Sequence, residues 1–257
     1  MEDASDPGFV CRTCDHPLSR RDGALRCRTC TETVPVVDGI PRFPVPAEEP
    51  STENVFDYLA PIYETPVWFS PLYRFVGGPF APWDDRSRVA AMLEPNGATV
   101  LDVACGTGRF TRHVAADAEF VTGIDISGEM LERARRYATR DGIDDVAFAR
   151  MSADRLWFEE DAFDRVSCCW ALHIFPDASA ALAEMRRVLQ PDGRLAGTTL
   201  LQEYAFDVPG VREAARQTIG AEPFAREEFR DLLGEAGFSA LEFDRRGAVL
   251  FFEAEHG

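Results

Sequence analysis

Four cysteines near the N-terminus have the spacing of a metal site. Cys11-x-x-Cys14 and Cys27-x-x-Cys30 form two pairs separated by twelve residues. Each pair closes a tight turn that presents two thiolates to one ion. Two such turns complete the closed, tetrahedral coordination that zinc takes in structural sites. A module of roughly 40 residues has little core of its own and gains its stability from such a staple. His16 lies close to the first pair, but four thiolates fill the site without it. The chain has seven cysteines in all, and closely spaced pairs in a cytosolic chain read as ligands rather than disulfides.

A second concentration of chemistry lies at Val100-Leu101-Asp102-Val103-Ala104-Cys105-Gly106-Thr107-Gly108-Arg109-Phe110. An apolar strand ends there in a glycine turn that opens at once into a helix. Glycine admits positive φ and lets a ligand approach the backbone. The unpaired N–H groups at a helix start attract a carboxylate or phosphate. A second strand, Val121-Thr122-Gly123-Ile124-Asp125, ends in an acid 19 positions after Gly106. That spacing suits a carboxylate that accepts from both hydroxyls of a ribose. The dinucleotide pattern G-x-G-x-x-G fails at its third position, which is Thr111, and this disfavours a nicotinamide cofactor.

The elements that must position these residues alternate between strand and helix. Helical patterns cover 84–93, 109–116, 129–139 with Ser127 as N-cap, 178–189 starting at Asp177 and stopped by Pro191-Asp192-Gly193, and 227–235 closed by Gly237. Strand patterns cover 99–103, 120–124, 146–149, 165–170 and 194–200, followed by an antiparallel pair at 238–244 and 248–253. Such alternation predicts an α/β fold: a mostly parallel sheet, helices on both faces and a terminal antiparallel hairpin. Ligands then bind at the carboxyl edge of the strands.

With these residues in place, the chain resembles the class I methyltransferases that use S-adenosylmethionine, and its fold is expected to be their Rossmann-like sheet. The resemblance implies that Asp102, Ala104, Gly106 and Gly108 line the methionine end of the cofactor and that Asp125 holds its ribose. It places Ile126 and Met130 against the adenine, and Ala153 and Asp154 at the adenine amino group. Asp102 as a cap of its turn, Asp154 as a loop acid and Met130 as helix core are the plain alternatives. The segment 55–64 resembles the N-terminal helix that folds over the cofactor, with Tyr58 or Tyr63 at the methionine end. Trp68, Phe69, Tyr73, Phe75 and Phe80 form a lid or pack as core. Trp170 and His173 end the fourth core strand, where the methyl group points. His173 is the candidate general base or a pocket-lining residue, while Cys168 and Cys169 read as buried strand residues. The cysteine module with Val34 to Phe43 resembles two things: the small zinc proteins that activate methyltransferases, and the zinc ribbon fused to certain 23S rRNA guanine methyltransferases.

The chain divides into a zinc module (1–45), a Pro- and Glu-rich linker (46–54) and a catalytic domain (55–257). Its 257 residues include no lysine, and 44 acids against 27 bases give a formal charge of −17. A field this negative repels nucleic acid, and no DNA partner is expected. An acid-rich, lysine-free surface also suits a high-salt cytoplasm, where such fields are screened. The acidic N-terminus and the lack of a long apolar run predict a cytoplasmic protein without a membrane span. Two acceptors fit. A small molecule is favoured by the aromatic N-terminal segment and the overall acidity. RNA is favoured by the module's Arg12, Arg20, Arg21, Arg26, Arg28 and Arg42. A non-catalytic cofactor-binding or regulatory module is the reading of another class.

Overall fold

The computed structural model describes residues 7–45, 64 and 85–257. The linker, Tyr58, Tyr63 and the aromatic residues between Trp68 and Phe80 lie outside them.

The N-terminal module is a four-stranded antiparallel sheet, β1 (Leu18–Arg21), β2 (Ala24–Cys27), β3 (Thr33–Val37) and β4 (Ile40–Pro41), in sequential order. Two-residue Asp-Gly turns join β1 to β2 and β3 to β4. Asp22 and Gly23 have φ of 50° and 74°, and Asp38 and Gly39 have 50° and 80°. Positive φ at both positions matches the right-handed twist of the strands that leave the turn.

The larger domain begins at α1 (Asp85–Leu93) and alternates thereafter: β5 (Thr99–Val103), α2 (Arg109–Val114), β6 (Phe120–Asp125), α3 (Gly128–Asp141), β7 (Val146–Arg150), β8 (Phe163–Cys169), α4 (Ala178–Val188), β9 (Leu189–Leu200), α5 (Val211–Ile219), α6 (Arg226–Glu235), β10 (Phe238–Arg246) and β11 (Val249–His256). The sheet order is β10-β11-β9-β8-β5-β6-β7. Pairing is parallel from β9 to β7, and β11 alone runs against its neighbours. The chain lays β5, β6 and β7 outward in one direction, then returns to place β8 on the other side of β5. The strand order therefore reverses between β5 and β8, and a crevice opens there at the carboxyl ends.

Alternate strand residues feed opposite faces. Leu101, Val166, Leu195, Leu250 and Phe252 pack with α4 and α6, whereas Val100, Val249 and Phe251 pack with α1 and α2. Helix α3 is capped at its start as its sequence predicts, with Ser127 Oγ accepting from Met130 N–H, and Gly142 closes its other end at φ 69°. Asp177 likewise caps α4 through Ala180 N–H at 2.9 Å.

One expectation needs correction. Pro191-Asp192-Gly193 does not separate helix from strand. Helix α4 ends at Val188 and β9 starts at Leu189, with the Pro-Asp-Gly stretch inside it. Pairing with β8 jumps from Phe163–Leu189 to Arg165–Arg194, so these residues form an irregularity in the ladder, where a proline's missing donor is tolerated. Helix α5 and the two hairpins of the module carried no assignment in the sequence. The Asp-Gly pairs were the available signal for the hairpins. Nothing comparable marks α5, which buries no residue.

The module packs directly on the larger domain. Residues 42 and 43 run parallel to the end of β7, with an Arg42–Arg150 bridge and Phe43 N–H donating to the Arg150 carbonyl at 2.9 Å. Val10 N–H donates to Trp157 O at 2.9 Å. Phe9 and Phe43 stack into Trp157 and Phe158, with ring centroids 4.9–5.2 Å apart. Leu25, Val34 and Cys11 thus share one apolar cluster with the sheet. Burying large aromatic rings between two units joins them far more firmly than a linker does, and residues 42–43 cover the outer edge of β7.

Candidate active site

The glycine turn takes the backbone shape its sequence demands. Ala104, Gly106 and Gly108 all have positive φ, at 57°, 55° and 72°. A side chain on Gly108 would also meet Ala134 Cβ at 3.1 Å and the Phe148 ring at 3.4 Å. Gly108 therefore packs its backbone closely against α3 and β7.

Asp125 is tied to that turn. Its Oδ2 accepts from Gly106 N–H at 2.8 Å and its Oδ1 from Ser127 N–H at 2.9 Å. Both oxygens are thereby oriented. The 19-residue separation in sequence is closed to one hydrogen bond.

Asp102 sits behind the turn rather than on its open side. It is 1% exposed, and its oxygens accept from Thr111 Oγ at 2.6 Å and Ser167 Oγ at 2.8 Å. Burial pushes its carboxyl up to about 6, against the lowering effect of the two hydroxyl donors. Thr111, the residue that breaks the dinucleotide pattern, holds this acid. Asp102 therefore fixes β5, α2 and β8 to one another and supports the turn from below.

A crevice open to solvent lies beside the turn. Ala104, Ile126, Ala153 and Asp154 line it as anticipated, and Phe175, Pro176 and Asp177 close the far wall. Asp154 Oδ1 is buried there without a hydrogen-bond partner among the described residues. A buried acceptor without a donor is costly, and this one belongs to a residue of the crevice lining. Met130 does not reach the crevice. It is 2% exposed in the core of α3, its plain alternative.

The structure redirects two residues expected at the methyl end. Trp170 has φ 62° and donates its Nε1–H to Asp85 Oδ2 at 3.1 Å, on the face covered by α1 and α2. Asp85 is fully buried and also takes Arg109 at 2.6 and 2.8 Å. His173 is 5% exposed, lies outside the crevice lining, and its Nδ1 meets Thr199 Oγ at 3.3 Å. Burial pushes its pKa down to about 3. His173 is thus packed against Thr199 outside the crevice lining, and its part as a general base remains an expectation from the sequence. Burial likewise raises the Cys105, Cys168 and Cys169 thiols, in keeping with strand and turn packing.

Several site residues escaped the sequence. Asp85 reads there as an ordinary acid at a helix start. Phe175, Pro176 and Asp177 follow β8 without a motif. Glu64 accepts from Thr107 Oγ at 2.5 Å and from Arg112 at 2.8 Å, which joins it to the glycine turn.

In the module, the sulfur pairs Cys11–Cys30, Cys14–Cys27 and Cys14–Cys30 are 3.5, 3.4 and 3.7 Å apart, and all four lie within 4.8 Å of one another. A tetrahedron with Zn–S bonds of about 2.3 Å has S–S edges of about 3.8 Å. The backbone N–H groups of Cys30 and Thr29 pull the Cys27 thiol down to about 6, while burial and the neighbouring sulfurs push Cys14 up to about 12. Donor type and spacing both suit one tetrahedral ion.

Comparison with known proteins agrees with the fold and turn. Residues 100–193 match a family described as a methyltransferase domain. An uncharacterized chloroplastic methyltransferase of Arabidopsis thaliana is 26% identical over 96% of this chain and 77% of its own. A ubiquinone/menaquinone biosynthesis C-methyltransferase of Hahella chejuensis is 33% identical, and the match covers 61% of this chain and 62% of the enzyme's length. The fold is shared with a chain from the complex between the Haloferax volcanii Trm112 methyltransferase activator and a methyltransferase, at TM-score 0.62 and 20% identity, over 78% of this chain and 97% of that one. Sheet order, glycine turn and these likenesses define the class: an S-adenosylmethionine-dependent methyltransferase. Its core is a Rossmann-like methyltransferase domain, and the chain is an enzyme of that class.

Proposed function

We propose that the chain transfers the methyl group of S-adenosylmethionine to a small-molecule acceptor, and that the four-cysteine module holds one structural zinc. The observation that carries the proposal is the crevice at the strand-order reversal. Ala104 of the glycine turn and Ile126, the residue after Asp125, line one side of it, and Asp154, whose Oδ1 has no partner among the described residues, lines it as well. Asp125 accepts from the ribose hydroxyls, Asp154 from the adenine amino group, and Ile126 and Ala153 flank the ring. Ala104, Gly106 and Gly108 leave backbone open to the methionine end.

When bound, the cofactor supplies a methyl group already activated on a sulfonium. The protein's task is then to align the acceptor and keep water out. No strong base is needed for that, which agrees with a His173 that is buried and weakly basic. The small-molecule acceptor is supported by likeness to a quinone methyltransferase and by a formal charge of −17, which repels polyanions.

RNA is the second reading, because Arg20, Arg21, Arg26 and Arg28 are exposed on the module and form no ion pair among the described residues. Incubation with tritiated S-adenosylmethionine and either lipid extract or total RNA separates the two. Label in the organic phase supports the proposal, and label in RNA replaces it with the second reading. Transfer to neither by a chain that binds the cofactor contradicts both.

A further inference from the structure

The segment Asp125-Ile126-Ser127-Gly128 carries the ribose acid and one wall of the crevice, and its outer side is gripped by the N-terminal module. Arg42 lies across Gly128. A Cβ at that position would stand 3.0 Å from Arg42 Nη1 and 3.7 Å from its Cζ, so a larger residue there would push the guanidinium back by a few tenths of an ångström. The same guanidinium donates to Glu132 Oε1 at 3.1 Å, one turn further along α3. The backbone of 42 and 43 pairs with Arg150, and Arg150 Nε donates to Ile126 O at 2.7 Å. The module therefore holds this segment in two ways, directly over Gly128 and through Arg150.

We infer that Arg42 is a positioning residue for the adenosine half of the cofactor site, so that the zinc module sets cofactor affinity as well as stability. The inference rests on the cofactor assignment above. Arg42 touches no reacting atom. It fixes the start of α3, and with it the direction in which Asp125 and Ile126 face the crevice. Two arrangements of that segment, docked and released, would differ in affinity through this contact.

A second ion pair supplies the control. Arg12 joins the module to Glu184 at 3.4 Å, on α4 and away from residues 125–128. Both arginines are half-buried, so their loss should loosen docking to a similar degree. Calorimetric titration with S-adenosylhomocysteine on the full chain, with melting temperature and zinc content recorded in parallel, separates positioning from docking. Arg42→Ala is expected to raise Kd about tenfold at unchanged stoichiometry, and Arg12→Ala to leave Kd within about twofold at a similar melting shift. Arg42→Lys, which keeps the charge opposite Glu132, should recover most of the affinity. Equal Kd values for Arg42→Ala and Arg12→Ala overturn the inference, as does an Arg42→Lys chain no better than Arg42→Ala. Failure of the unaltered chain to bind S-adenosylhomocysteine overturns instead the cofactor assignment on which it rests.

Discussion

The cysteine module and the glycine-turn crevice solve the same problem, a fixed set of ligand groups, by opposite means. The module gathers four sulfurs from two adjacent turns and leans on the Phe9 and Phe43 contacts with the larger domain and, in the proposed reading, on one ion. The crevice gathers its groups from the ends of β5, β6, β7 and β8 and leans on a buried seven-stranded sheet. A metal centre concentrates stability in a few bonds and is lost with any one of them. A sheet edge spreads it over many contacts, so its residues can be changed singly and read for function.

That contrast is broken most severely by removing metal. Cys27→Ser is expected to abolish the one zinc per chain and to melt the module well before the sheet. Elemental analysis with hydrogen exchange on residues 7–45 checks it, and a metal-free wild-type chain with a protected module would erase the contrast. In the larger domain the biggest effect is expected from pH. Burial raises Asp102 from 3.8 to about 6, so the folded state binds its proton more tightly than the unfolded chain does. The resulting stabilisation is full below about pH 4, is lost as pH rises through about 6, and amounts to at most about 3 kcal/mol. Melting curves of the wild type and Asp102→Asn between pH 4 and 8 should diverge in that window, and parallel curves would show the carboxyl to be unperturbed.

Legibility in the sequence followed the same division. The cysteine spacing, glycine turn, Asp125 and most strand limits were visible because each depends on a few neighbouring residues. Asp102 was visible as a position but not as a role. Its partners Thr111 and Ser167 lie on α2 and β8 and meet only when the sheet forms. Trp170 and His173 were assigned to the site by their place at a strand end. The backbone beyond β8 turns them toward Asp85 and Thr199, a choice no local pattern encodes. The docking of the module was hidden as well, since neither Phe43 nor Arg150 carries a motif.

Smaller effects sharpen the comparison at the crevice. Asp154→Ala should weaken S-adenosylhomocysteine binding about tenfold, the worth of one hydrogen bond to a charged acceptor. Unchanged affinity would mean that its buried oxygen faces no ligand. His173→Asn, which keeps a polar partner for Thr199, should alter turnover less than about threefold and leave the pH–rate profile in place. Loss of an ionisation from that profile would establish His173 as a base.

Calorimetric titration of the wild type and Asp125→Ala with S-adenosylhomocysteine, and of the wild type with NAD, bears most directly on the proposed cofactor site. Binding of one S-adenosylhomocysteine per chain, weakened roughly 30-fold by Asp125→Ala, is expected, with no heat from NAD. NAD binding in place of the homocysteine compound, or equal affinity in the two chains, would contradict it.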